Sequence, residues 1–164
     1  MKRILRTVLW LIVAALVAIQ LVPVDRSNPP VTREVAWDSP DTRAIAERAC
    51  FACHSNETAW PWYAYVAPVS WRVASHVDRG RGHLNFSEWD QPNEDLDEVV
   101  EVIRDHEMPL RDYLLVHREA RLTADERELL IAGFERTFTN DPPVERRRPG
   151  GPPPGAPAQP DSTQ

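Results

Sequence analysis

Cysteine is scarce in this 164-residue chain: there are two, Cys50 and Cys53, and they belong to one local feature. A disulfide framework needs scattered pairs, so that kind of secreted scaffold is excluded. A second Cys pair is missing as well, which removes the zinc-finger and zinc-ribbon patterns. Methionine is just as scarce, with Met1 and Met108 alone. No stretch alternates apolar and polar residues for long enough to make a half-buried strand. Positive charge is short in the middle of the chain. The formal net charge is −6, yet Lys2, Arg3 and Arg6 open the sequence without a counter-charge. At the other end Arg146, Arg147 and Arg148 outweigh Glu145 and Asp161, so the part between is more acidic than the total. An acidic domain repels nucleic acid, and that partner class is set aside. Such a surface favours a basic partner or simply keeps the domain solvated.

What is present divides the chain into four parts. Residues 1–24 read as a signal-anchor transmembrane helix. Thr7 to Val24 carries no charge, and Gln20 is its only strongly polar side chain. A helix of that length spans roughly 27 Å, close to the hydrocarbon thickness of a bilayer. Lys2, Arg3 and Arg6 precede it, so the positive-inside rule leaves the N-terminus in the cytoplasm and the rest outside. A cleaved signal peptide is the rival reading. It needs a shorter apolar region and a small-x-small site, and Val13-Ala14-Ala15 falls in mid-run. Residues 25–39 are polar, contain Pro29-Pro30, and read as a linker lifting the domain off the membrane. Residues 40–141 form the domain. Residues 142–164 are Pro-rich, cannot bury a core, and are expected to be disordered.

Within the domain the patterning predicts helices only. Ser39-Pro40-Asp41 starts the first, which places Ala46, Ala49, Cys50 and Cys53 on one face. Pro68 opens a second, lined by Val69, Val73 and Val77, with Gly80 as its stop. The stretch 81–91 lacks a period and reads as a loop. Asn93 is expected to cap a third helix with Leu96, Val99, Val100 and Ile103 inward, ended by Pro109. Thr123-Ala124-Asp125-Glu126 is a capping box, and it starts a last helix with Leu130, Ile131, Phe134 and Phe138 inward.

Cys50-Phe51-Ala52-Cys53-His54 is C-x-x-C-H. Two cysteines about one helical turn apart can each form a thioether to one of the two vinyl groups of a haem, and the adjacent histidine then lies beneath the iron. A zinc site would need two more ligands from His76, His83, His106 and His117, at spacings that resemble no known zinc pattern. A thioredoxin-like pair would need a βαβ setting, which the patterning does not provide. The reading is one covalently attached haem c, with His54 as proximal ligand. For the sixth position Met108 is the candidate: its thioether is soft and neutral, and Pro109 pins the backbone beside it. His76 competes for that position. Arg72, Arg79, Arg81 and Arg111 are candidates to neutralise propionates. The aromatic cluster Trp60, Trp62, Tyr63, Tyr65 and Trp71 offers flat walls for a porphyrin or ordinary core.

The stretches CFACHSNETAWPWY, APVSWRVASHV, GRGHLNFSEW and EMPLRDYLLVHREARLTADE, in this order, resemble the haem-binding domain family of exported bacterial, cytochrome c-like proteins. The resemblance runs from Ala44 to Phe138. It implies an all-α, class I cytochrome c-like fold with the first and last helices packed near the haem. It also implies Cys50, Cys53 and His54 as attachment and proximal ligand, and Met108 as distal ligand. The resulting expectation is a single-pass, membrane-anchored one-electron carrier. Its soluble domain would lie in the periplasm or outside the cell, with a redox protein as partner and no enzymatic activity of its own. The alternative is an open-site haem protein acting as a gas or redox sensor or as a peroxidase.

Overall fold

The computed structural model describes residues 1–94 and 96–145; the side chains of Leu96 and Glu145 lie outside that description. The expected inward turn of Leu96, and the tail from Arg146 on, therefore lie outside the described residues. The structure is mostly helical. Helix α1 is Lys2–Ala18, continued by a tight turn Ile19–Leu21. The domain follows with α2 (Pro40–Ala49), α3 (Phe51–His54), α4 (Val69–His83), α5 (Leu96–Arg104), α6 (Tyr113–Val116) and α7 (Ala124–Asn140). One two-residue parallel pairing, Pro92–Asn93 with Val144–Glu145, adds a small β element that the patterning did not predict.

Helix α2 begins where the sequence says it should. The Ser39 hydroxyl accepts from the Thr42 amide at 3.2 Å, and Pro40 occupies the first turn. Such a cap satisfies a donor that the helix itself cannot. Helix α7 carries the full capping box: Thr123 Oγ1 accepts from the Glu126 amide, and Glu126 Oε2 accepts from the Thr123 amide at 2.9 Å. Its inner face is Leu130, Ile131, Phe134 and Phe138, all buried as expected. Helices α2 and α7 pack directly on one another, and Gly133 permits it. A Cβ at that position would overlap the Thr42 side chain. Helix α5 packs on the same helix α7. Trp37, Phe51, Phe86, Trp89, Phe134 and Phe138 form a run of tilted and stacked aromatic contacts through the core, with Trp37 and Phe86 centroids 5.0 Å apart.

Five expectations need correction. The continuous first helix breaks at Cys50 (φ −122°), so the attachment motif lies on its own short turn. Segment 25–39 is not a free linker. Val35 is buried, the Thr32 and Arg33 amides donate to Ser87 O, and the Val35 amide donates to Phe86 O. The backbone partners that decide this are some fifty residues away, beyond the reach of local patterning. Helix α4 runs through Gly80 to His83, and Val69, expected inward, is exposed. The stretch 81–91 is in part the end of α4 and in part core, with Leu84, Phe86 and Trp89 fully enclosed. Asn93 does not cap α5. It is buried, and its Oδ1 accepts from the Asn85 amide at 2.7 Å.

Asp38 ties the start of α2 to α7 by accepting from Arg136 Nε at 2.8 Å. Burial pushes its carboxyl up, but hydrogen bonds from Thr42 and Arg136 outweigh that and hold it below its ordinary value. A carboxyl depressed on folding contributes stability above its unfolded pKa of about 3.9, and this contribution disappears as pH falls through the lower folded value. Thermal melts taken from neutral pH downward should show that loss below about pH 4. Asp38→Asn should lower the melting temperature at neutral pH and flatten the acid limb.

Candidate functional site

Between α2–α4 and α5–α7 lies a cavity of about 420 Å³. That is within the range of small-molecule and cofactor pockets, about 300–1,000 Å³. Two sets of elements wall it. The first supplies Cys50, Cys53, His54, Gly80, Leu84 and Phe86; the second supplies Val99, Val102, Ile103, Met108 and Tyr113, with Leu130 and Phe134 from α7. The walls are predominantly aliphatic and aromatic. Polar groups, His76, Arg79, His83, Glu94 and Glu98, also border the cavity.

The motif is held by its backbone. The Cys53 and His54 amides both donate to Cys50 O, at 3.0 and 2.9 Å, closing the α3 turn. Helix α4 then presses against this turn at Gly80, where an added Cβ would come within 2.5 Å of Cys53 O. Only glycine allows the two backbones so close. Behind the motif, Arg81 donates to Ser55 O at 2.8 Å, to Ser27 O at 3.0 Å and to the side chains of Asn28 and Thr58. Arg81 is therefore a clamp on the loop after His54 and does not border the cavity.

The His54 ring is oriented by the segment that follows α4. Its Nδ1 lies 3.0 Å from Leu84 O, and the Phe86 amide donates back to His54 O at 2.9 Å. A carbonyl can only accept, so Nδ1 carries the hydrogen and Nε2 keeps its lone pair. Burial lowers the His54 pKa, opposed by the Leu84 hydrogen bond, and the imidazole is accordingly neutral. A neutral imidazole with one nitrogen tied to a carbonyl is the arrangement of a metal ligand. Burial also pushes the Cys50 thiol up to about 12 and that of Cys53 up to about 11. Both thiols are therefore protonated in this cavity. Among the described residues, no group of three or more His, Cys, Asp or Glu is placed to hold a metal ion.

Met108 borders the cavity and packs against the core, with its amide donating to Val102 O at 3.0 Å. His76 borders it too, half-buried on α4. His106 is exposed, with Nδ1 2.9 Å from Arg104 O; His117 meets the Tyr63 hydroxyl through Nε2 and Glu119 through Nδ1. Neither borders the cavity. Of the four arginines, Arg79 does, Arg72 is paired with Asp112, and Arg111 is exposed elsewhere. None of the cluster Trp60, Trp62, Tyr63, Tyr65 and Trp71 lines the cavity, which corrects the wall reading. The aromatic walls are Phe86, Tyr113 and Phe134. Phe86 sat in a segment without helical period, and its available signal was the apolar set Leu84, Phe86 and Trp89 inside a polar stretch. Trp60 is half-buried, and its enclosed Nε1–H has no partner among the described residues.

The cavity suits a large, flat, mostly apolar group bearing a metal that needs few protein donors. One neutral imidazole and one thioether border it, nitrogenous and soft donors of the kind a porphyrin iron takes, beside two thiols of the kind that bond haem vinyl groups. A sequence model described as a haem-binding domain matches residues 14–136, about three quarters of the chain. Comparison with curated proteins and with solved structures finds no match in either.

Proposed function

This chain belongs to the haem-binding domain family, and from that premise we propose that it is a membrane-anchored monohaem c-type cytochrome of class I-like fold that carries single electrons on the outer side of the cytoplasmic membrane. The observation that carries the reading is the shared cavity. Both thiols, a tautomer-fixed imidazole and a lone thioether border one apolar space. Cys50 and Cys53 would attach one haem c, with His54 Nε2 as its proximal ligand and Met108 as its distal ligand. When bound, the haem supplies a reversible one-electron couple whose potential the axial ligands set.

The protein's own part is to hold and to exclude. Leu84 O keeps His54 in one tautomer and one orientation. Leu84, Phe86, Val99, Val102 and Phe134 keep water from the site and lower its local dielectric. The Gly80 contact and the Arg81 clamp hold the motif rigid, so that little rearranges on a change of redox state. His54 and Met108 would supply the protein's two donors to the iron. Arg79 at the cavity supports a role opposite a haem carboxylate. Helix α1 is long and apolar enough to span a membrane, a property shared with signal sequences, and we read it as an uncleaved anchor with the domain on the periplasmic side. A second protein, of basic surface, serves as redox partner. The chain is proposed as a carrier, not an enzyme.

The test is the visible spectrum, oxidised and reduced, of the full chain made in a host that exports and attaches haem. The expected result is a low-spin spectrum with the weak red-edge sulfur-to-iron charge-transfer band. A high-spin spectrum, shifting at once with carbon monoxide, would transfer the reading to the gas-sensor or peroxidase alternative. Absence of any haem band would overturn it.

A further inference from the structure

Three aromatic residues expected to serve the interior are instead on the surface. Trp62 is 78 %, Tyr65 59 % and Trp71 38 % exposed, and Val66 and Val69 between them are each 45 % exposed. Residues 58–71, which contain all five, hold no charged side chain. Monomeric soluble proteins rarely leave so concentrated an apolar surface uncovered.

Its place in the fold identifies what covers it. The patch surrounds Ala67, and Ala67 is bound by the outer end of the apolar N-terminal span. Gln20 Nε2 donates to Ala67 O at 3.1 Å while Gln20 Oε1 accepts from the Ala67 amide at 2.9 Å. Nearby, the Arg26 guanidinium donates to Ala64 O at 3.3 Å and stands 4.6 Å over the Tyr65 ring. The span itself is Lys2–Leu21, with none of its apolar window buried inside the molecule. At 1.5 Å per residue a span of that size extends about 30 Å, the thickness of a bilayer's hydrocarbon core. The uncharged stretch from Thr7 ends at Val24, four residues beyond Gln20, so Gln20 lies at the outer end of the span beside the membrane–water boundary, and the hydrogen bonds to Ala67 put the aromatic patch at the same level. Trp and Tyr are the residues that favour this boundary, with an apolar body and a polar edge.

We propose that the surface around Trp62, Tyr65, Val69 and Trp71 is seated in the outer headgroup region of the lipid bilayer, so that the domain is docked on the membrane and does not swing on a tether. This rests on the reading of α1 as an uncleaved anchor. Its functional consequence lies in α4. That helix starts at Val69 inside the patch and reaches the cavity at His76, Arg79 and Gly80, about 10–17 Å along its axis. Docking thereby fixes the position of the cavity relative to the membrane plane.

The experiment uses the full chain in phosphatidylcholine vesicles doped with a phosphatidylcholine carrying a diazirine near its headgroup. After irradiation, adducts are mapped by peptide mass spectrometry. The expected result is adducts both on α1 and on residues 62–71, with α5 unlabelled. Replacing Trp62, Tyr65 and Val69 together by serine should reduce adducts at Trp71 at least tenfold while α1 labelling persists. Adducts confined to α1 would overturn the docking while leaving the anchor intact, and would turn attention to a protein partner or a second copy on this face. Labelling absent from α1 itself would remove the anchor reading and the proposal with it. Neither result depends on haem content.

Discussion

Replacing Cys50 and Cys53 together by alanine should abolish haem that survives denaturation. In the wild-type chain a denaturing gel stained for haem peroxidase activity should show colour at the mass of the protein, because each thiol would be bound to the porphyrin by a thioether. Each single replacement leaves one attachment point, so a weakened but visible band is the expected intermediate. The double variant should show none, while immunodetection confirms that the chain is still made. Both thiols border the same cavity, protonated and enclosed, so alanine there removes reactive sulfur and no charge. Some loss of stability is also expected. A domain of roughly a hundred residues has a small core, and a covalently held apolar cofactor contributes to it. A stained band in the double variant would contradict covalent attachment at this motif.

Met108→Ala should convert a six-coordinate haem to an open one. The charge-transfer band should vanish, carbon monoxide should bind at once, and the reduction potential should fall, since axial ligand choice spans about 0.8 V across haem proteins. Alanine at this half-buried site also removes packing against the core, at a cost near the lower end of the about 2–5 kcal/mol seen for such truncations. Met108→Leu separates the two effects. It keeps the volume, should fold within about 1.5 kcal/mol of wild type, and should be spectroscopically as open as the alanine variant. His76→Ala should leave the spectrum unchanged. If the two positions behave the other way round, the sixth ligand is His76 and the potential is that of a bis-histidine haem. Both residues border the cavity, so ligand and bystander are separated by this pair of variants and not by proximity.

The contrast between the two ends of the domain explains what could be read early. Helices α2 and α7 were legible because their signals are local. A hydroxyl three residues from its target amide, a proline at the first turn and an apolar face recurring every three to four residues depend only on neighbours along the chain. The C-x-x-C-H motif is local in the same sense, as five consecutive residues place both thiols and the imidazole together. Segment 25–39 and the stretch 81–91 were misread for the opposite reason. Four backbone hydrogen bonds join the two segments across more than fifty residues, and Val35, Leu84, Phe86 and Trp89 are buried there without a period to announce it. Asn93 resembles a helix cap, but its side chain serves Asn85 instead. The aromatic cluster after the motif had the composition of a pocket wall, yet Trp62, Tyr65 and Trp71 are exposed, on the segment that Gln20 holds at Ala67.

The sequence by itself determined the helical character, the apolar N-terminal span, the acidic domain and the adjacency of Cys50, Cys53 and His54, because periodicity, length, charge and spacing are properties of the chain alone. Tertiary structure alone decided which walls enclose the cavity, which of His76, His83, His106 and His117 reach it, that Leu84 O holds the His54 ring, and that Arg81 is a clamp. Each of these depends on backbone atoms brought together from distant segments, made possible at Gly80 and Gly133 by the missing Cβ, and such close approaches leave no mark on local pattern.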